Sequence, residues 1–121
     1  KEMNSIGEAT FGLKMPGWVT DGPQMFRTQT GKLGMLWSSW GEHRYAQGVA
    51  YSTSGSIKGP WVQEKDALKG DNSGHGMLFR TFEGKLLFIL HHAEANGPRK
   101  PEIWDVDDSG DKLVLKDRHR F

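Results

Sequence analysis

The sequence contains no cysteine, which excludes a disulfide framework and any thiolate metal site and leaves the redox compartment open. It lacks an apolar run long enough to span a bilayer, so no membrane is expected as a partner. No secretory leader is visible at Lys1, and that decides nothing if the natural start lies elsewhere. Neither sign of charge is in excess: 16 Lys and Arg against 15 Asp and Glu leave a net charge of +1. The whole-chain field therefore gives no reason to expect nucleic acid or an anionic surface as a partner. The basic end at Lys116, Arg118 and Arg120 reads as a solvated tail. Sixteen glycines and five tryptophans in 121 residues favour tight turns and aromatic-rich sheets over a helical bundle. A chain of this length suits one modest domain with a correspondingly modest core.

What is present is a repeat. Phe26-Arg27-Thr28-Gln29-Thr30-Gly31-Lys32-Leu33 and Phe79-Arg80-Thr81-Phe82-Glu83-Gly84-Lys85-Leu86 match in Phe, Arg, Thr, Gly, Lys and Leu at one offset of 53 residues. Each copy divides into four strand-like pieces, about 22–29, 32–40, 45–53 and 60–66, then 75–82, 85–93, 100–107 and 112–117. Turn chemistry separates them: Thr30-Gly31, Ser54-Gly55, Lys58-Gly59-Pro60, Glu83-Gly84, Asn96-Gly97-Pro98 and Asp108-Ser109-Gly110. Leu86 to Leu90 has no polar face and reads as a strand covered on both sides. Ile103, Asp105 and Asp107 alternate with Glu102, Trp104 and Val106, as in a strand nearer an edge.

Two units of about 50 residues, each of four antiparallel strands, point to an all-β fold of two propeller blades. A β-sandwich fits the strand count but does not require the repeat. The expected organisation is an irregular segment over residues 1–20, containing Met15-Pro16-Gly17-Trp18, a first blade over 21–70 and a second over 71–121. Closed propellers have about 4–8 blades, so two blades call for the missing blades of a parent chain or for self-association.

The copies open on Val19-Thr20-Asp21-Gly22-Pro23 and Ser73-Gly74-His75-Gly76-Met77. The offset sets Asp21 against Gly74, one position from His75. The first strand of a propeller blade lies nearest the axis, so Asp21 and His75 are expected to converge on one central pocket from adjacent blades.

Thr20-Asp21-Gly22-Pro23 resembles the segment of family 43 glycoside hydrolases that carries the general acid in a Glu-Gly-Pro setting. Met35 to Trp40, Gly48-Val49-Ala50-Tyr51-Ser52 and Gly59-Pro60-Trp61 are similar to the rest of that blade, and Ser73-Gly74-His75-Gly76 to the Gly-His segment of the next. The resemblance covers about residues 15–117. It implies a five-bladed propeller and inverting hydrolysis of arabinose-, xylose- or galactose-containing glycans. It also implies a histidine, here His75, that helps hold a metal ion, often Ca2+, through its water shell, and two further aspartates on earlier blades. Asp21 departs from the family's glutamate by one methylene. Three explanations stand: a narrower pocket, a binding role, or a lost acid. Inversion needs a protonated acid and an ionised carboxylate about 6.5–9.5 Å apart, so Asp21 cannot fill both roles.

Each candidate has a plainer reading. An Asp before Gly-Pro is an ordinary turn former, and His75 between glycines could be a hydrogen-bonded residue at the centre of the fold. Trp40 is a candidate sugar-stacking platform, whereas Trp37 suits packing between blades. His91 and His92 point to opposite faces of a strand and cannot easily share an ion with Glu94, though one of them could line the pocket. Arg44 and Tyr45 read as a hairpin cap after Gly41-Glu42-His43. Asp105, Asp107, Asp108 and Asp111 read as a solvated outer turn. Three functions follow: part of a glycan-cleaving enzyme with a carbohydrate substrate, a non-catalytic carbohydrate-binding propeller, or a structural module that pairs with other copies.

Overall fold

The computed structural model describes residues 20–40, 44–95 and 97–120. The lead-in segment, apart from Thr20, lies outside the described residues, as do 41–43 and Asn96 of two expected loops. Strands β1 (Asp21–Arg27), β2 (Leu33–Trp40), β3 (Tyr45–Ser52) and β4 (Trp61–Gln63) form one antiparallel sheet in sequence order. Strands β5 (Ser73–Arg80), β6 (Leu86–His92), β7 (Lys100–Asp107) and β8 (Val114–Arg118) form a second of the same design. The described residues contain no helix. The fold is all-β, two consecutive four-stranded blades.

The repeat holds down to individual hydrogen bonds. Phe26 pairs with Gly34 and Phe79 with Leu87, the same register at the 53-residue offset. In each first hairpin a threonine and a lysine close the turn, Thr28 N–H to Lys32 at 3.1 Å and Thr81 N–H to Lys85 at 2.9 Å. The glycines Gly31 and Gly84 both take φ +85°, a conformation closed to most side chains. Arg27 and Arg80 each donate Nη1 to that glycine's carbonyl, at 2.9 and 3.2 Å. Each first strand also carries a one-residue bulge near its start, between Asp21 and Gln24 and between Gly74 and Met77. A bulge re-aims side chains, and here it does so where both blades begin.

The core lies between the sheets. Leu36, Val49 and Tyr51 of the first meet Leu78, Phe88, Leu90 and Leu113 of the second, all buried. Strand β5 is the contact strand, packed against β1, β2 and β3. Phe26 lies over Gly34, where a Cβ would come within van der Waals overlap of its ring, and Phe88 sits over Gly76 in the same way.

Strand β7 lies one strand in from the edge strand β8 and pairs with both β6 and β8. Its acids are tolerated inside the sheet because cations on neighbouring strands and turns meet them, Lys85 at 2.9 Å from Asp105 and Lys116 at 3.5 Å from Asp107. Asp108 is not part of a solvated turn. It is 3% exposed and accepts from Gln29 Nε2 at 2.7 Å and Arg80 Nη2 at 2.6 Å. Its carbonyl accepts the Gln29 amide at 2.9 Å. The β7–β8 turn thus folds back onto the first blade, where Leu113 N–H also reaches the Tyr51 hydroxyl at 2.8 Å.

Phe88 is wholly buried whereas Phe82, in a turn, is fully exposed. Phe88→Ala is expected to cost about 3–5 kcal/mol and Phe82→Ala to stay within about 0.5 kcal/mol of wild type. Urea melts of the two variants check this. Equal losses would mean that the sheets do not pack as described.

Candidate functional site

The bulges place the first polar groups of each blade together. Asp21 opens β1, and His75 lies in β5 at the position equivalent to Gly22. Gly22 and His75 share left-handed backbone, φ +53° and +50°. That conformation is easy for glycine and disfavoured for histidine, so the surroundings must hold His75. They do so twice: its backbone N–H donates to Ser38 Oγ at 2.7 Å, and its Nδ1 lies 3.0 Å from Asp21 Oδ2. Because the carboxylate accepts, the proton sits on Nδ1. A strained residue held by its neighbours is a pointer to a functional site.

A third group joins them that the sequence reading treated as a hairpin cap. Tyr45, the first residue of β3, is 4% exposed and donates its hydroxyl to the same Asp21 Oδ2 at 2.8 Å. His91 stacks on the Tyr45 ring with centroids 5.4 Å apart and planes at 6°. Arg99 donates to His91 Nε2 at 3.2 Å and lies over the Tyr45 ring at 5.9 Å. His91 Nδ1 is buried with no hydrogen-bond partner among the described residues.

The electrostatics follow from this geometry. The Tyr45 hydroxyl, and to a lesser degree His75, hold the Asp21 carboxyl below its ordinary 3.8 against the opposing effect of burial. Burial, then the Asp21 charge, pushes the Tyr45 phenol up to about 12, so it remains a donor. Burial, then Arg99, lowers His91, which stays neutral.

Of the residues expected to form a site, Asp21 and His75 are brought into contact. Trp40 is joined to them through Tyr45. It meets Tyr45 edge-on at 5.6 Å and 62° and lines a separate groove of about 350 Å³ with Trp37, Ser39, Glu64 and Asp66. Trp37 lies on the sheet face away from the second blade, its Nε1 bonded to Gln63 at 2.6 Å. There it lines an apolar hollow of about 310 Å³ with Pro23, Met35, Ala50 and Trp61, and Asp21 stands at its rim. His91 and His92 do face apart: His92 turns to Ser73 Oγ at 2.9 Å while His91 joins Tyr45. Among the described residues no three His, Asp or Glu converge as ion ligands.

No family model matches the chain, and no curated protein matches it. Solved structures do. An endo-arabinase from Bacteroides thetaiotaomicron VPI-5482 is similar at 44% identity and a TM-score of 0.65, over 72% of this chain and 31% of that one. An endo-1,4-beta-xylanase from the same organism is similar at 27% identity and a TM-score of 0.66, over 86% of this chain and 40% of that one. The chain thus spans well under half the length of either. The likenesses relate this pair of blades to glycosidases of propeller-type fold.

The depressed pKa of Asp21 fixes a sign. A carboxyl whose folded pKa lies below 3.8 contributes stability that is whole above that value and is lost as pH falls through the lower folded one. Asp21→Asn keeps an acceptor for Tyr45 and removes the charge. It is expected to lower stability at neutral pH, and the gap from wild type should close on acidification below 3.8. Denaturation across a pH series measures this. A gap that persists unchanged into strong acid would show that the charge is not what Tyr45 and His75 stabilise.

Proposed function

We propose that the chain is the C-terminal part of a family 43 glycoside hydrolase that cleaves arabinose-, xylose- or galactose-containing glycans with inversion, and that Asp21 stands at the position of the acid. The observation that carries this reading is the cross-blade contact of Asp21 with His75 at 3.0 Å, in a chain 44% identical over the matched part to an endo-arabinase. The parent would be five-bladed, with its general base and a further aspartate on blades outside this chain. Trp40 and His75 would meet the carbohydrate.

Inversion asks the acid to hold a proton near neutral pH. In this chain Asp21 accepts from two donors and is held ionised. A negative group or deeper burial supplied by the parent would raise it. Without that, Asp21 is a hydrogen-bond acceptor for sugar hydroxyls, and the same site supports a second reading as a non-catalytic carbohydrate-binding propeller. The ionised, doubly held carboxylate favours that alternative.

Calcium enters this proposal narrowly. His75 offers one ring edge to an ion's water shell, but the described residues supply no inner set of three ligands. The ion is not needed for any step derived from these residues.

Two experiments test the proposal. This chain is expected not to turn over aryl arabinosides or xylosides, because among the described residues the hollow that Asp21 lines holds no second carboxylate to activate water. In the longer parent, Asp21→Asn is expected to lower kcat by about 10²–10⁴-fold. An unchanged kcat sinks the acid role of Asp21, and a parent that binds the glycan without turnover favours the binding reading. Turnover by this chain, lost in Asp21→Asn, would mean that a complete site exists within it.

The face carrying Met35, Trp37, Ala50 and Trp61 is taken to be the seat of a preceding blade. Exposed apolar patches find partners, so the isolated chain is expected to self-associate, as light scattering would record. A monodisperse monomer at high concentration counts against missing blades.

A further inference from the structure

The two copies differ most where their backbones agree. At the 53-residue offset, Asp21-Gly22 of the first falls on Gly74-His75 of the second, with the same bulge around both pairs. Each glycine leaves room for a side chain of the other blade. A Cβ on Gly22 would come within 3.0 Å of the His75 ring. A Cβ on Gly74 would come within 2.6 Å of Tyr45 Cε1 and 3.3 Å of Ser38 Oγ. The space that the second blade leaves empty at Gly74 is therefore filled by the tyrosine that bonds the carboxylate of the first.

We propose that Tyr45 is the positioning residue of Asp21 and that the second blade sets it in place, Gly74 admitting its ring and His91 bracing its face. The assignment rests on the reading of Asp21 as the functional carboxylate. Tyr45 and His75 act on one oxygen, Oδ2, at 2.8 and 3.0 Å, from two different blades. Two donors on one oxygen fix both the reach and the rotation of a short side chain.

The residue types fit this task. A phenol held up to about 12 never titrates in the working range. The ring beneath it is an uncharged imidazole, because Arg99 donates to His91 Nε2 and burial keeps it neutral. The stack is nearly parallel, at 6°, so it resists tilting of the Tyr45 ring and hence displacement of its hydroxyl. Among the described residues, the titratable and charged groups that act on this cluster from both blades are Asp21, Tyr45, His75, His91 and Arg99, with His92 acting on His91 from the opposite face of its strand. Only Asp21 among them is acidic in the ordinary range.

The test is the carboxyl titration of Asp21, followed by carbon-13 NMR in this chain with no sugar present. Tyr45→Phe keeps the ring and its stack and removes the hydroxyl. It is expected to raise the Asp21 midpoint toward its ordinary value, with a stability loss at neutral pH that closes on acidification below 3.8, as for Asp21→Asn. Gly74→Ala removes no polar group but obstructs the ring, and is expected to raise the midpoint as well. If Gly74→Ala does not fold, His91→Leu takes its place, since it removes the stacked ring. An Asp21 midpoint unmoved by Tyr45→Phe overturns the proposal. A midpoint unmoved by Gly74→Ala, or by His91→Leu in its stead, overturns the bracing by the second blade. Neither result touches hydrolysis, which the parent's kcat decides separately.

Discussion

Strand β5 has a strand partner on one side only, β6, and the rest of the architecture depends on how its other edge is satisfied. An unpaired row of backbone groups inside a protein is costly. Here the first blade supplies side chains in place of a strand. Gln24 bonds Leu78 in both directions, accepting its N–H at 2.6 Å and donating to its carbonyl at 3.0 Å. Gln47 Oε1 accepts the Gly76 N–H at 2.8 Å, and Ser38 Oγ accepts the His75 N–H at 2.7 Å. Gln47 and Ser38 are wholly buried, and each also bonds the other, Ser38 to Gln47 at 3.0 Å. A buried side-chain amide whose bonds to Ser38, Gly76 and Trp37 are met together in this arrangement fixes one relative position of the blades, which apolar packing alone would leave free to slide.

That register is what brings the site together. Gly76, His75 and Gly74 are consecutive, so the bonds that fix the edge of β5 also fix where the imidazole and the empty space beside Tyr45 fall. The other end of the interface is pinned independently by Asp108 between Gln29 and Arg80. With both ends held, the apolar cluster around Leu36 and Phe88 supplies cohesion, and the polar contacts supply alignment. The left-handed His75 at +50° is tolerated because its N–H and its ring are both anchored to the first blade.

Much of this was legible in the sequence, for a definite reason. Strand and turn signals are local, and a repeat prints them twice, so the eight strands and the equivalence of Phe26 with Phe79 could be read directly. The meeting of Asp21 and His75 followed from the repeat together with the habit of propeller blades. The pairing of Tyr45 with His91 was out of reach because it is a stack between blades, 46 residues apart in sequence, and neither sits at a repeated position with the other. The available signal was Gly74: where the first copy has Asp21, a glycine inside a strand marks close approach by something large. Asp108 was misread because a carboxylate in a turn is ordinarily solvated. Only the return of that turn onto Gln29 and Arg80 buries it.

The geometry separates two properties that are easily merged, the position of a carboxylate and its protonation. Position is settled within these two blades by Tyr45 and His75. Protonation is not a property of position alone, since the same two donors that hold Asp21 favour its ionised form. An acid needs the opposite bias, and a bias of that sign comes from negative charge or exclusion of water. No negative charge stands near Asp21 among the described residues, where the neighbouring titratable groups are a phenol and imidazoles, and its partial burial is outweighed by the two donors. A hydrolase and a sugar-binding propeller could therefore share this pair of blades unchanged and differ only in the field that the remaining blades project onto one oxygen atom. On the proposed family reading, aspartate in place of glutamate acts in the same sense: a shorter arm gains precision from a two-donor clamp but reaches less far toward a leaving oxygen. On the proposed reading, the residues that decide between cleaving a glycan and holding it are those that raise the Asp21 carboxyl, rather than those that place it.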